Sequence, residues 1–199
     1  MIVNTIEDLR LILKNELIYS SKSNKQTVLF LTGGTSIQKL YKSEKWLKIF
    51  NSFNKICFAD ERMVLESDSE SNLGNFLRIT KINPKKLVKI LDNSGNLCEG
   101  YSKNITHFLK SKDYNCYAIS GFGLDGHFWS LFTQIDMIKN DIVLRTKSTN
   151  HSHERITLGV KAYELLDANY FFASKEKLAK YNSDPKEPVN SYMNKIFTL

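Results

Sequence analysis

The chain has 199 residues, 42% of them hydrophobic and 25% charged, with a formal net charge of +7 at pH 7. That balance is that of one folded domain spanning residues 1–199 with a proper core. The three cysteines, Cys57, Cys98 and Cys116, are far apart and odd in number, which suits neither a disulfide framework nor a zinc site.

No apolar run approaches the roughly 20 residues of a membrane span, and Met1 to Thr5 lack the basic region and apolar core of a secretory leader. The expectation is a cytoplasmic protein without a membrane partner. The positive charge rests on lysines scattered along the chain, without the basic stripe and interleaved aromatics of a nucleic-acid surface. An anionic small-molecule substrate or a lysine-rich proteome accounts for the excess, and no nucleic-acid partner is expected.

Ile6, Leu9, Leu13, Leu17 and Ile18 recur at helical spacing behind Thr5, with Asp8 three residues on, and predict an opening helix over 5–19 capped by Thr5. After a polar loop, Thr27-Val28-Leu29-Phe30-Leu31 reads as a buried central strand. It runs into Thr32-Gly33-Gly34-Thr35-Ser36, after which Ile37, Leu40, Tyr41, Trp46 and Leu47 resume a helical period. Paired glycines and two hydroxyl residues at a helix start form an anion cradle suited to phosphate, or an ordinary capped turn.

Lys55 to Ala59 is a second strand ending in Asp60-Glu61-Arg62, read as a charged loop at the same carboxyl edge. The acid and guanidinium there would hold a ligand oxyanion or form a solvated ion pair. Ser71 to Asn75 opens a helix reaching Arg78, Leu87 to Leu91 is a short strand, and Gly100 to Lys110 is a helix with His107 on its surface.

The apolar run Cys116 to Ile119 leads into Ser120-Gly121-Phe122-Gly123-Leu124-Asp125-Gly126-His127. Its glycines allow close approach to a ligand, so the reading is strand, turn, functional tip and then a helix, with Asp125 and His127 at the strand's carboxyl end. The literal G-x-G-x-x-G is not read as a dinucleotide fingerprint: Asp141 precedes the next apolar run instead of closing it. His151 and His153 lack a third ligand at zinc spacing and read as a solvated loop, so no metal is expected. Ile142 to Leu144, Arg155 to Leu158 and Asn169 to Ala173 are strands, with Ala162 to Leu166 a short helix. This recurrent β-loop-α order predicts a three-layer α/β/α, Rossmann-like domain with a mostly parallel sheet.

Taken in order, Leu31 to Ser36, Phe58 to Arg62, Ser71-Asn72, Gly121 to His127 with Ser130-Leu131-Phe132, Arg155 to Leu158 and Glu176-Lys177 resemble the motifs of 6-phosphogluconolactonases, in a superfamily that includes glucosamine-6-phosphate deaminases. The resemblance implies cytosolic hydrolysis of the δ-lactone of a six-carbon sugar phosphate, as in the pentose phosphate pathway, without metal or cofactor, by a monomer or homodimer. It implies His127 as general base on water, oriented by Asp125 or Asp60, with Arg62 or loop N–H groups on the oxyanion. Gly33, Gly34, Thr35 and Ser36, with Arg155 and Lys177, would hold the phosphate. The deaminases resemble Asp-Glu-Tyr where Arg62 ends the triplet here, and carry a glutamate where Phe132 stands, which favours the lactonase. An amino-sugar-phosphate isomerase or deaminase and a non-catalytic sugar-phosphate sensor are the alternatives. Phe128 and Trp129, where the family has small residues, are expected to reshape the pocket, and Thr133 replaces the family's usual proline.

Overall fold

The run read as a central strand lies at the heart of a parallel sheet in the computed structural model, which describes residues 1–3, 5–121, 127–149 and 152–172. In chain order the described elements are β1 (Ile2–Val3), α1 (Ile6–Lys22), β2 (Gln26–Leu31), α2 (Thr35–Tyr41), α3 (Glu44–Ser52), β3 (Lys55–Phe58), β4 (Asp60–Arg62) and α4 (Asn72–Ile79). They continue with β5 (Leu87–Val88), α5 (Tyr101–Lys110), β6 (Tyr114–Ser120), α6 (Gln134–Ile138), β7 (Val143–Thr146), β8 (Arg155–Leu158), α7 (Val160–Tyr163) and β9 (Ala168–Phe172).

One sheet of six strands runs in the order β1-β9-β6-β2-β3-β5, with every neighbouring pair parallel. Val28 to Leu31 of β2 and Cys116 to Ile119 of β6 are buried without a break. Successive strand side chains point to opposite faces, so unbroken burial means that both faces are covered, and the domain is the expected α/β/α sandwich. Cys57 and Cys116 are core residues, as their apolar surroundings in the sequence required.

Local chemistry sets the helix limits. Thr5 accepts from the Asp8 N–H at 3.0 Å and starts α1, and Ser71 accepts from the Gly74 N–H at 2.9 Å and starts α4. The single helical period expected after Ser36 is two helices, parted at Lys42-Ser43. Between them Tyr41, Phe50 and Phe76 interlock, Tyr41 and Phe76 edge-on with ring centroids 4.8 Å apart. The Tyr41 hydroxyl donates to the Thr32 carbonyl at 2.8 Å and fixes the end of β2.

Two expectations are corrected. Asp60-Glu61-Arg62 is not a loop: after Ala59 the chain leaves the parallel sheet and enters a second, antiparallel one, ordered β4-β8-β7. Nor does a helix follow His127 directly. Phe128 and Leu131 bridge across a tight turn, and α6 begins only at Gln134, where Thr133 and Asp136 form a reciprocal capping box. The residue replacing the family's proline is thus a helix cap.

Candidate active site

The chain passes from β2 to β3 on one side and returns through β6 on the other, so the order of connections reverses between β2 and β6. At such a switch point the loops leaving the carboxyl ends diverge and leave a crevice. A cavity of about 200 Å³ opens there, lined by Thr32, Gly33 and Gly34 after β2 and by Gly121 after β6. The small antiparallel sheet closes it.

Strand geometry sorts the charges of β4. Asp60 and Arg62, two apart, share one face and line the cavity, while Glu61 points the other way. The register sets Asp60 opposite Thr157 and Arg62 opposite Arg155 on β8. Like charges directly opposite each other are destabilising, so Arg62 and Arg155 need compensating partners. Glu70 Oε2 lies 3.5 Å from Arg62 Nε, Arg62 Nη1 donates to the Glu70 carbonyl at 2.9 Å, and the His153 carbonyl accepts from Arg155 Nη1 at 3.0 Å. Burial and the neighbouring Arg62 lower the proton affinity of Arg155, against Asp60, Glu70 and Glu61.

Asp60 Oδ2 accepts from the Ser130 hydroxyl at 2.7 Å, whereas its Oδ1, shielded from solvent, has no hydrogen-bond partner among the described residues. Burial raises the Asp60 pKa, and the Ser130 hydrogen bond with the charges of Arg62, His127 and Arg155 opposes the rise. Ser130 is itself fixed, donating through its N–H to Thr157 Oγ1 at 3.2 Å and accepting at its carbonyl from Thr146 Oγ1 at 2.8 Å.

Glu61 turns inward and binds the start of α4. Its carboxylate accepts from the N–H groups of Asn72 and Leu73, each at 2.8 Å, and from the Ser71 hydroxyl at 3.2 Å. Burial raises its pKa and these backbone donors oppose it. Asn72 is thereby brought to the cavity wall, where its Oδ1 accepts from Arg62 Nη1 and its Nδ2 donates to the Asp60 carbonyl, both at 2.9 Å.

His127 lines the cavity with its ring centroid 5.1 Å from that of Phe132, which also lines it. The two aromatics that follow part company. Phe128 is fully buried against Tyr163 and Phe171 and belongs to the core. Trp129 borders the cavity with φ 53, a left-handed conformation rarely taken by a bulky residue. Its indole N–H donates to the Ser120 hydroxyl at 2.9 Å. Only one of the two bulky residues therefore narrows the pocket.

Of the residues singled out in the sequence, His127, Asp60, Arg62, Arg155, Gly33 and Gly34 come together around this cavity. Thr35 and Ser36 contribute the backbone of the first turn of α2, for which Gly34, with φ 99, is the N-cap; its first N–H groups have no intrahelical acceptor. Asp125 and Lys177 lie outside the described residues, as does His151. Asn72, Ser130 and Thr157 were not foreseen as site residues, although all three stood in the motifs that carry the resemblance. Among the described residues no group of three or more His, Cys, Asp or Glu is placed to hold a metal ion.

Gly33 carries a steric requirement. A Cβ there would stand 1.8 Å from Asn72 Oδ1, whose amide is held from two sides. Gly33→Ala is expected to cost about 1–3 kcal/mol through overpacking and to weaken turnover by displacing Asn72. Denaturant unfolding with a midpoint and rate unchanged from the wild type would contradict this wedge.

The family model for glucosamine-6-phosphate isomerases/6-phosphogluconolactonase matches residues 4–181. A search of the curated proteins finds no significant match. Among solved structures, 6-phosphogluconolactonase from Thermotoga maritima is similar at TM-score 0.74 and 20% identity, over 95% of this chain and 92% of that one. The Trypanosoma cruzi 6-phosphogluconolactonase is similar at TM-score 0.72 and 20% identity, over 97% and 88%. That from Leishmania guyanensis is similar at 0.71 and 18%, over 98% and 90%. These identities speak for the fold; the match of the family model along most of the length places the chain in the glucosamine-6-phosphate isomerase/6-phosphogluconolactonase family.

Proposed function

We propose that the protein hydrolyses the lactone ring of a six-carbon sugar phosphate, converting 6-phosphogluconolactone to 6-phosphogluconate. The observation that carries this reading within the family is the cavity wall beside His127. A phenyl ring, Phe132, stands there, together with the Arg62 guanidinium, where a ring-opening deaminase would place a carboxylate and a tyrosine.

In the proposed reaction the His127 imidazole takes a proton from water as the oxygen attacks the lactone carbonyl carbon. Imidazole suits this because its proton equilibrium lies close to neutral pH. The negative charge that develops on the carbonyl oxygen is met by the Arg62 guanidinium. When the tetrahedral intermediate collapses, the bond to the ring oxygen breaks and that oxygen receives the proton held by His127; the carboxylic acid formed loses the second water proton to solvent, leaving a carboxylate, a free hydroxyl and one released proton. Asp60 balances the positive charges around it and orients His127, a role in which Asp125 is its partner. The phosphate is assigned to the Gly33–Ser36 turn with Arg155 and Lys177, which fixes the reacting end relative to the base. No cofactor or metal has a part in this scheme.

The reading is tested by offering the protein two substrates. Proton release from freshly generated 6-phosphogluconolactone above the spontaneous rate is expected, with no ammonia from glucosamine 6-phosphate. Ammonia or ketose formation without lactone opening would transfer the protein to the deaminase reading, and tight sugar-phosphate binding without turnover of either would make it a sensor.

A further inference from the structure

We propose that Asn72 is a positioning residue that aims the Arg62 guanidinium at the reacting carbonyl and ties it to Asp60, an inference that rests on the lactonase reading above. Its amide contacts β4 twice. Oδ1 accepts from Arg62 Nη1 and Nδ2 donates to the Asp60 carbonyl, so one side chain joins the two cavity-facing residues of the strand. Few side chains can do both: a carboxylate of that length offers acceptors only, and an aliphatic chain neither.

Asn72 is in turn fixed through its backbone and by the space around it. From the opposite face of β4, Glu61 Oε1 accepts the Asn72 N–H at 2.8 Å. Gly33 supplies the space, since any Cβ there would overlap the amide. Asn72 is buried, so the two amide contacts are not shared with solvent. Arg62 Nη1 is then fully engaged, by Asn72 Oδ1 and by the Glu70 carbonyl at 2.9 Å. Nε is buried and faces Glu70 Oε2 at 3.5 Å, so Nη2 is the edge of the planar fork left to meet an oxyanion, from a fixed angle. Without Asn72 the guanidinium keeps its charge and loses its aim.

The test is a double-mutant cycle on binding of 6-phosphogluconate, whose C1 carboxylate takes the place of the reacting carbonyl, measured by calorimetry. Arg62→Ala is expected to weaken binding about 10-fold or more, the scale of a hydrogen bond to a charged group. Asn72→Ala is expected to weaken it about 3- to 10-fold, and the double variant to bind no worse than Arg62→Ala alone, because a residue acting through another has nothing to act on once that one is gone. A purely structural role would lower the folded fraction and leave the affinity of the remainder unchanged. Additive losses, or wild-type affinity in Asn72→Ala, would overturn the proposal. Asn72→Ser is measured in parallel in case the alanine variant does not fold; unfolding of both would assign the amide to stability and overturn it as well. Inorganic phosphate, titrated alongside, separates this inference from the function. Non-additive phosphate binding by a protein that ignores 6-phosphogluconate would uphold Asn72 and reject the lactonase, and a wild type that binds neither would reject both.

Discussion

Replacing His127 with alanine is expected to slow lactone opening by about 10²- to 10⁴-fold, the contribution of a well-placed general base. The effect belongs to kcat. His127 stands on the cavity wall with its ring tilted against Phe132, whereas the anion is assigned to the Gly33–Ser36 turn and the arginines, so 6-phosphogluconate affinity should change little. Stability should also hold, because the packing beneath is carried by Phe128, fully buried against Tyr163 and Phe171. Steady-state kinetics with a thermal melt on the same sample check both halves. A variant that turns over lactone at the wild-type rate would remove His127 from the chemistry.

The second large effect is expected at Asp60, with opposite signs for activity and stability. Asp60→Asn keeps the shape and can still accept from Ser130, but removes the negative charge that Arg62, His127 and Arg155 surround; turnover should fall about 100-fold, within the range for acid–base machinery. Burial holds the folded carboxyl's pKa above its ordinary value, so the folded state keeps this proton longer than the unfolded chain does. Folding therefore weakens as pH rises from the ordinary carboxylate range through the raised value, and at neutral pH the ionised group is a net cost. The amide has no such cost. Asp60→Asn should melt at a higher temperature than the wild type at pH 7, with the difference closing in acid below the ordinary carboxylate range. A lower melting temperature at pH 7, or full activity, would contradict the assignment. An active site that sacrifices stability for charge is the expected trade.

The parts of the fold that rest on local signals were legible. The apolar runs of β2 and β6 read as buried strands and are buried on both faces, and Thr5 was read as the cap of α1 and Ser71 to Asn75 as the entry to α4. β4 was not legible because Asp60-Glu61-Arg62 has no apolar period. Its strand character comes from pairing with Arg155, Ile156 and Thr157, far away in the chain. The same pairing places Arg155 opposite Arg62; the resemblance had given Arg155 to the phosphate without setting it beside Arg62.

After His127 the apolar pair Phe128-Trp129 imitates a helix start, but the positive φ of Trp129 turns the chain back first. Asn72 shows the remaining limit. A lone Asn after Ser reads as the first turn of a helix, and its bond to Arg62 exists only once Glu61 has drawn α4 against β4. The sequence did hold one trace of it, the glycine at position 33 that leaves room for its amide.

The central claim, that this cavity opens a sugar-phosphate lactone, is tested most directly by generating 6-phosphogluconolactone in place and following proton release with and without the wild-type protein. The account predicts release faster than the spontaneous reaction, proportional to protein concentration and saturable in lactone. Release at the spontaneous rate, from folded protein at every lactone concentration, would contradict it.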